Sequence, residues 1–543
     1  MVEKLTGGQA VVRSLIKSGI KQVYGLPGVQ NDWLYNAFYD YRDEIKVLHT
    51  RHEQGAGYMA LGHYLATGEN AVYNIVPGPG FLNSCGALST IWGLNAQVMC
   101  LVGQIPRKVQ GKQLGVLHEI PDQMGILERL TKWADAIESP AVAPAVMAQA
   151  FREMNTGRPR PVGVEVAMDV LQAEGDVDFS GFDPEGRSPA IDSEEIEAAA
   201  DLIANARNPL VFVSSGAMSA SKEVTELVEF LQAPVFSYRT GKGIVPSSHY
   251  LSYPVPAAYP LWKDCDLCIA IGSHARMPLL KWGKDAGLKF LSINIDPEVH
   301  NRMAQSDVSV TGDAAEALRL LMPLLGSRMN PKASRKEEMK AFKQDWNERI
   351  AYLEPQISYL NLIREELPED GIFVDELTQV GFASRIAWHT DRPRTYLSTG
   401  HMGTLGWGFQ TALGAKAARP DATVISVAGD GGFMFGVQEL ATAVQHRLGV
   451  IVLLFNNNLY GNVRSMQEKL YDQRVIATDL HNPDFVKMAH AFGANGVRVN
   501  SMPDLRKAIR DARGEALPTI IEIPVSNDWP STNKFKALPR IRG

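Results

Sequence analysis

Between Ala422 and Asn458 the chain reads ATVISVAG, DGGFMF, GVQELATAVQHRL, GVIVLLF and then three consecutive asparagines. ATVISVAG and GVIVLLF are continuous apolar runs, too short for ordinary globular helices and rich in β-branched residues, so each predicts a strand buried on both faces. GVQELATAVQHRL carries Val437, Leu440, Ala441 and Val444 at helical spacing, which predicts an amphipathic helix. A βαβ unit of this kind crosses over right-handed and leaves its two strands parallel. Asp430 and the Asn456, Asn457, Asn458 triplet therefore emerge on one sheet edge, where open α/β sheets bind ligands. One carboxylate with neutral amide and carbonyl oxygens holds a hard cation poorly alone. It holds Mg²⁺ well when a phosphorylated ligand supplies the missing charge. Gly429, Gly431 and Gly432 let backbone approach such phosphates at a helix start, where the dipole favours anions.

The rest of the chain is built to match. Its 543 residues, 45% hydrophobic and 21% charged, provide for about three domains and show no sign of disorder. A formal net charge of −6 with both signs dispersed argues against nucleic acid and acidic membrane surfaces as partners. No run reaches transmembrane length, and MVEKLTGGQAVVRSLIKSG lacks a signal-peptide core, so cytoplasmic residence is the expectation. Four cysteines suit a reducing compartment. Cys265 and Cys268 form a Cys-x-x-Cys that runs straight into an apolar strand, and they read as small buried hydrophobes.

Three α/β blocks follow from the pattern: residues 1–170, 190–326 and 350–530. The acidic, glycine-bearing AEGDVDFSGFDPEGRSPAID reads as a linker after the first. PLVFVSSG, LCIAIGS and FLSINID alternate with helical patterns in the second, as in a doubly wound sheet, and the charged helical stretch NPKASRKEEMKAFKQDWNERIAYL leads into the third.

The Gly-Asp-Gly turn followed by the Asn-Asn pair resembles the diphosphate-binding motif of thiamine-diphosphate (ThDP) enzymes, in the branch of acetolactate synthases, benzaldehyde lyases and 2-oxo-acid decarboxylases. The likeness runs from VYGLPG to NPDFVKMAHAFGANGVRV. It implies three doubly wound parallel-sheet domains: pyrimidine-binding, central Rossmann-like and diphosphate-binding. It also implies that Asp430 and Asn457 bind Mg²⁺ through side chains and Leu459 through its carbonyl.

The same resemblance assigns the other candidates. RHEQGAGYMA matches the activating-glutamate segment, which makes Glu53 the carboxyl group that pairs with the cofactor's pyrimidine N1′. NIVPGPGFLN, with Pro79 and Asn83, is close to the pyrimidine-side loop. In STGHMGTLGWGFQTALGAKAA the Gly403 carbonyl accepts from the 4′-amino group and Leu405 wedges between the rings. VGFASRIAW aligns with the other diphosphate loop from about Gly381, although Phe382 and Ala383 stand where acetolactate synthases carry polar side chains.

His118 falls where related carboligases carry a glutamine and decarboxylases one histidine of a pair, as a proton relay. Val29 and Gln30 are implied on one wall of the substrate pocket. Val463 stands where simple decarboxylases place an acid, and Met466 replaces a tryptophan of acetolactate synthases. SYPVPAAYPLWKDCD occupies the place of the glycine- and histidine-rich stretch that accompanies FAD, so FAD is not expected.

The leading reading is an acetolactate-synthase-like carboligase or decarboxylase of a 2-oxo acid, assembled as a homodimer or homotetramer with active sites at the subunit interface. The alternative is a lyase of a 2-hydroxy ketone or 2-hydroxyacyl-CoA, suggested by the likeness of GFQTALGA to benzaldehyde lyase. A non-catalytic nucleotide-binding protein is disfavoured, since the chain has neither a Gly-x-Gly-x-x-Gly after a strand nor a P-loop.

Overall fold

The computed structural model describes residues 2–543; residue 1, counted in the first block, lies outside the described residues. Three six-stranded sheets of parallel strands succeed one another along the chain. The first contains Gln22–Gly25, Lys46–His49, Ala71–Ile75, Val98–Gln104, Trp133–Ile137 and Val162–Ala167. The third contains Ile372–Val374, Tyr396–Leu397, Val424–Gly429, Val450–Asn456, Asn495–Arg498 and Thr519–Pro524. In both, the spatial order is second, first, third, fourth, sixth, fifth. The two domains thus share a topology that no periodicity in the sequence reveals. The central sheet, from Pro209–Val213 to Val308–Thr311, runs third, second, first, fourth, fifth, sixth, the order of a Rossmann sheet.

The first and third domains are joined by a single apolar core that mixes Tyr58, Met59 and Leu61 with Trp407, Phe409 and Leu413. Helices Glu53–Thr67 and Trp407–Ala418 cross there at backbone contact. A Cβ added at Gly62 would lie 2.0 Å from the Thr411 carbonyl oxygen, and one at Gly414 would lie 1.9 Å from that of Met59. These glycines cost helix stability, and the close crossing they permit fixes one domain against the other. The central domain keeps its own core around Phe212, Phe236, Trp262 and Trp282.

Two local expectations are corrected. The stretch read as a linker contains the strand Glu174–Asp178, which pairs antiparallel with Val2–Thr6. Only Leu5 and Val177 of this ribbon are buried, so neither strand shows an alternating apolar pattern. The helix expected over 436–448 is shorter, Glu439–Gln445, and a separate single turn, Asp430–Phe433, precedes it. Cys265 and Cys268 are buried free thiols. Among the described residues no helix is long and apolar enough to cross a membrane.

Candidate active site

The strands Val424–Gly429 and Val450–Asn456 are adjacent and parallel, with Gly429 opposite Phe455. That register delivers Asp430 and the asparagine triplet to one edge. The three asparagines divide the work there. Asn456 donates to Glu522 at 2.9 Å and accepts from the Asn458 amide at 3.1 Å, so it is a buttress. Asn458 takes the left-handed conformation at φ 56°, where asparagine is tolerated. Asn457 faces a cavity of about 570 Å³ that Gly429, Asp430, Leu459, Thr378 and Gln379 also line.

Asp430 is 2% exposed, and burial raises its carboxyl pKa against the opposing hydrogen bond from Asn482, whose Nδ2 donates to Oδ2 at 2.6 Å. Among the described residues no cluster of three or more His, Cys, Asp or Glu side chains could hold a metal. The donor set at this edge is one carboxylate plus amide and carbonyl oxygens. It fits a hard divalent cation whose remaining charge and ligands come from a bound phosphate. Gly431 packs on Tyr460, whose ring would lie 2.5 Å from an added Cβ, so only glycine keeps the turn against that wall.

Gly403 and Leu405 stand beside this turn. Gly403 is left-handed at φ 63°, with its amide on Thr399 Oγ1 at 3.1 Å. The Leu405 Cδ2 would lie 3.7 Å from a Cβ at Gly432. Gly381 sits in the first turn of helix Gln379–Ala387, with its amide on Thr378 Oγ1 at 2.8 Å and no room for a Cβ against the Glu376 carbonyl. The adjoining Leu377–Val380 and Phe382 line the cavity. Val463 and Met466 lie on helix Gly461–Leu470, immediately after the triplet, and are about half exposed at 50% and 47%.

The first domain gathers the other group. Glu53 opens helix Glu53–Thr67, and the preceding His52 caps it by accepting from the Gln54 amide at 3.2 Å. Glu53 is 8% exposed, and its carboxylate accepts from Asn83 Nδ2 at 3.0 Å. Pro79 begins the helix that carries Asn83, and a Cβ at Gly80 would lie 3.3 Å from Glu53 Oε1. His118, left-handed at φ 69°, rests its carbonyl against Gly78.

Gln30 fixes the His118 tautomer. Its Nε2 donates to the Leu117 carbonyl at 3.0 Å, so its Oε1, 2.8 Å from His118 Nδ1, must accept. Nδ1 then carries a proton, which in the neutral imidazole leaves the lone pair on Nε2. Val29 beside them is 53% exposed. Glu53, Pro79, Asn83, Gln30 and His118 thus assemble on the first domain, and Asp430, Asn457, Leu459, Gly403 and Leu405 on the third. Among the described residues no hydrogen bond joins the two groups directly. Sequence reasoning missed Thr378, Gln379 and Asn482, which come to the site from separate loops with no local pattern to mark them.

Comparison with known proteins agrees with this geometry. Models of thiamine pyrophosphate enzymes match in order along the chain: the N-terminal TPP binding domain at residues 5–126, the central domain at 196–321 and the C-terminal TPP binding domain at 378–523. A probable acetolactate synthase large subunit of Methanocaldococcus jannaschii is 31% identical, over 96% of this chain and 92% of its own length. A probable 2-ketoarginine decarboxylase of Pseudomonas aeruginosa is 30% identical, over 96% and 94%. The acetolactate synthase isozyme 2 large subunit of Escherichia coli is 30% identical, over 97% of both chains. With all three domain types present in order and relatives 30–31% identical over nearly the whole chain, the chain belongs to the thiamine pyrophosphate enzyme family.

Proposed function

We propose that the chain uses ThDP and Mg²⁺ to cleave and form carbon–carbon bonds next to a carbonyl, acting on a 2-oxo acid as an acetolactate-synthase-like carboligase or decarboxylase. The observation that carries this reading is the convergence of Asp430 and Asn457 on one cavity, from adjacent strand ends. Bound there, the cofactor supplies a nucleophilic carbon and an electron sink. Asp430, Asn457 and the Leu459 carbonyl would hold the cation, and the Thr378–Gln379 turn would face the diphosphate. Glu53 would share a proton with the pyrimidine N1′, with its carboxylate oriented by Asn83. The Gly403 carbonyl would accept from the cofactor's 4′-amino group, and Leu405 would support its rings from the third domain. His118, with its Nε2 lone pair free, moves a proton to or from the substrate oxygen.

Val463 provides no proton at its position, which favours attack on a second carbonyl over simple release of aldehyde. The proposal includes no FAD.

Assembly is part of the proposal. Val29, Leu82 and Leu117 are exposed around the Glu53 group, and Met402, Met434 and Phe435 around the Asp430 group. Pairing these apolar rims between two copies would complete each site at a subunit interface.

The test is incubation of ThDP- and Mg²⁺-loaded protein with a panel of 2-oxo acids, with and without aldehydes, following CO₂ and hydroxy ketone. CO₂ release coupled to hydroxy-ketone formation is expected. Cleavage of 2-hydroxy ketones with no CO₂ from any 2-oxo acid would overturn the reading in favour of a lyase.

A further inference from the structure

We propose that Asn482 is a positioning residue of the cation site, holding the Asp430 carboxylate in the orientation that presents one oxygen to Mg²⁺. This rests on Asp430 and Asn457 being the cation's side-chain ligands.

Asn482 comes from a loop far along the chain, yet its amide nitrogen is the hub of the site's edge. Nδ2 donates to Asp430 Oδ2 at 2.6 Å and lies 3.1 Å from both Asn456 Oδ1 and Asn458 Oδ1, so its two hydrogens serve three acceptors with one bond shared. The loop is strapped in place by backbone. The Leu480 amide donates to the Asn458 carbonyl at 2.8 Å, the Tyr460 amide donates to the Thr478 carbonyl at 2.9 Å, and Leu459 bridges Asp479. The strap therefore grips both sides of Asn457 and Leu459 while the Asn482 side chain reaches across to Asp430.

Two consequences follow from the chemistry. The short Asn482 bond commits one lone pair of Oδ2 and fixes the rotation of the Asp430 carboxylate, so Oδ1, which accepts no side-chain hydrogen bond, is the oxygen offered to a cation. The same –NH₂ engages the Asn456 and Asn458 oxygens. Of the three adjacent asparagines that leaves Asn457, which lines the cavity and whose Oδ1 accepts only the Leu459 amide at 3.3 Å, as the one with a lone pair to offer a cation. Partners of this kind orient ligands for a metal, and losing one typically costs about 10–100-fold in metal affinity.

The experiment is a Mg²⁺ titration at saturating ThDP, read by the intrinsic tryptophan fluorescence of the whole protein without turnover. The variants are Asn482→Ala and Asn482→Leu, the second keeping most of the side chain's bulk but having no donor. Both are expected to need about 10–100-fold more Mg²⁺ for half-saturation, and to recover full ThDP stoichiometry at excess Mg²⁺. Their thermal midpoints without cofactor should match wild type, which a loop held together only for folding would not allow. Wild-type Mg²⁺ affinity in either folded variant would overturn the proposal. An Asp430→Ala control separates the two layers. If it loses Mg²⁺-dependent binding while the Asn482 variants do not, the role of Asn482 alone fails. If Asp430→Ala also titrates as wild type, the cation site itself is misplaced.

Discussion

The Glu439 carboxylate accepts the backbone amide of Arg51 through both oxygens, at 3.2 and 3.1 Å, across the junction of the first and third domains. Glu439 is fully buried and opens the helix that follows the Asp430 turn, while Arg51 lies two residues before Glu53. The link therefore ties the segment carrying one candidate group to the segment carrying the other. Glu439→Ala strands that amide and should cost about 1–3 kcal/mol in urea unfolding. In hydrogen exchange the segment around residues 49–55 should open first. An unchanged unfolding midpoint would show that the apolar crossing of the two helices suffices.

A second buried acid makes a pH prediction. Burial pushes the Glu376 carboxyl up to about 8, although the Gly408 and Leu377 amides donate to it at 3.0 and 3.2 Å. A carboxyl whose folded-state pKa is raised binds its proton more tightly in the native state. Its contribution to stability is fully present below about pH 4.5 and is lost as pH rises to about 8. Glu376→Gln keeps the shape and removes the titration. Relative to this variant, the wild-type melting temperature should fall between about pH 5 and about pH 8, and parallel curves would contradict the shift.

Val463→Glu places a proton donor on the half-exposed face of helix Gly461–Leu470. Product should move from hydroxy ketone or acetohydroxy acid toward free aldehyde, measured as the ratio of the two from one 2-oxo acid. Release of aldehyde alone by the wild type, from every 2-oxo acid tried, would leave a plain decarboxylase.

The shared-site assembly predicts complementation. In a mixed dimer of Glu53→Gln with Asp430→Ala, one site inherits both defects and the other neither. Co-refolded inactive variants should regain up to about a quarter of wild-type activity if chains pair at random. Purified heterodimers with no activity would show that each site is built from a single chain.

The sequence made legible those elements whose signal is local. The two apolar strands around the Asp430 turn, their parallel pairing, and Glu53 at a helix start after a strand all follow from runs of a few residues. The Glu174–Asp178 strand was not legible, because its partner Val2–Thr6 lies at the far end of the domain and each strand buries a single apolar side chain. Asn482 reaches Asp430 from a loop whose own sequence reads only as a turn before a helix. Thr378 and Gln379, just before Gly381, carry no local pattern that marks them as lining the cavity, whereas the glycine itself is required by close packing against the Glu376 carbonyl.

The central claim is that Glu53 activates the cofactor held at Asp430 and Asn457, and the most direct measurement is H/D exchange at the thiazolium C2 of protein-bound ThDP, followed by acid quench and NMR. Glu53→Gln preserves the shape of the side chain and its contact with Asn83, so the variant should retain cofactor. It cannot exchange a proton with N1′, and C2 exchange should slow by about 10²–10⁴-fold, the range typical of a general acid–base group. Exchange at the wild-type rate in a Glu53→Gln protein that still holds ThDP would contradict the account.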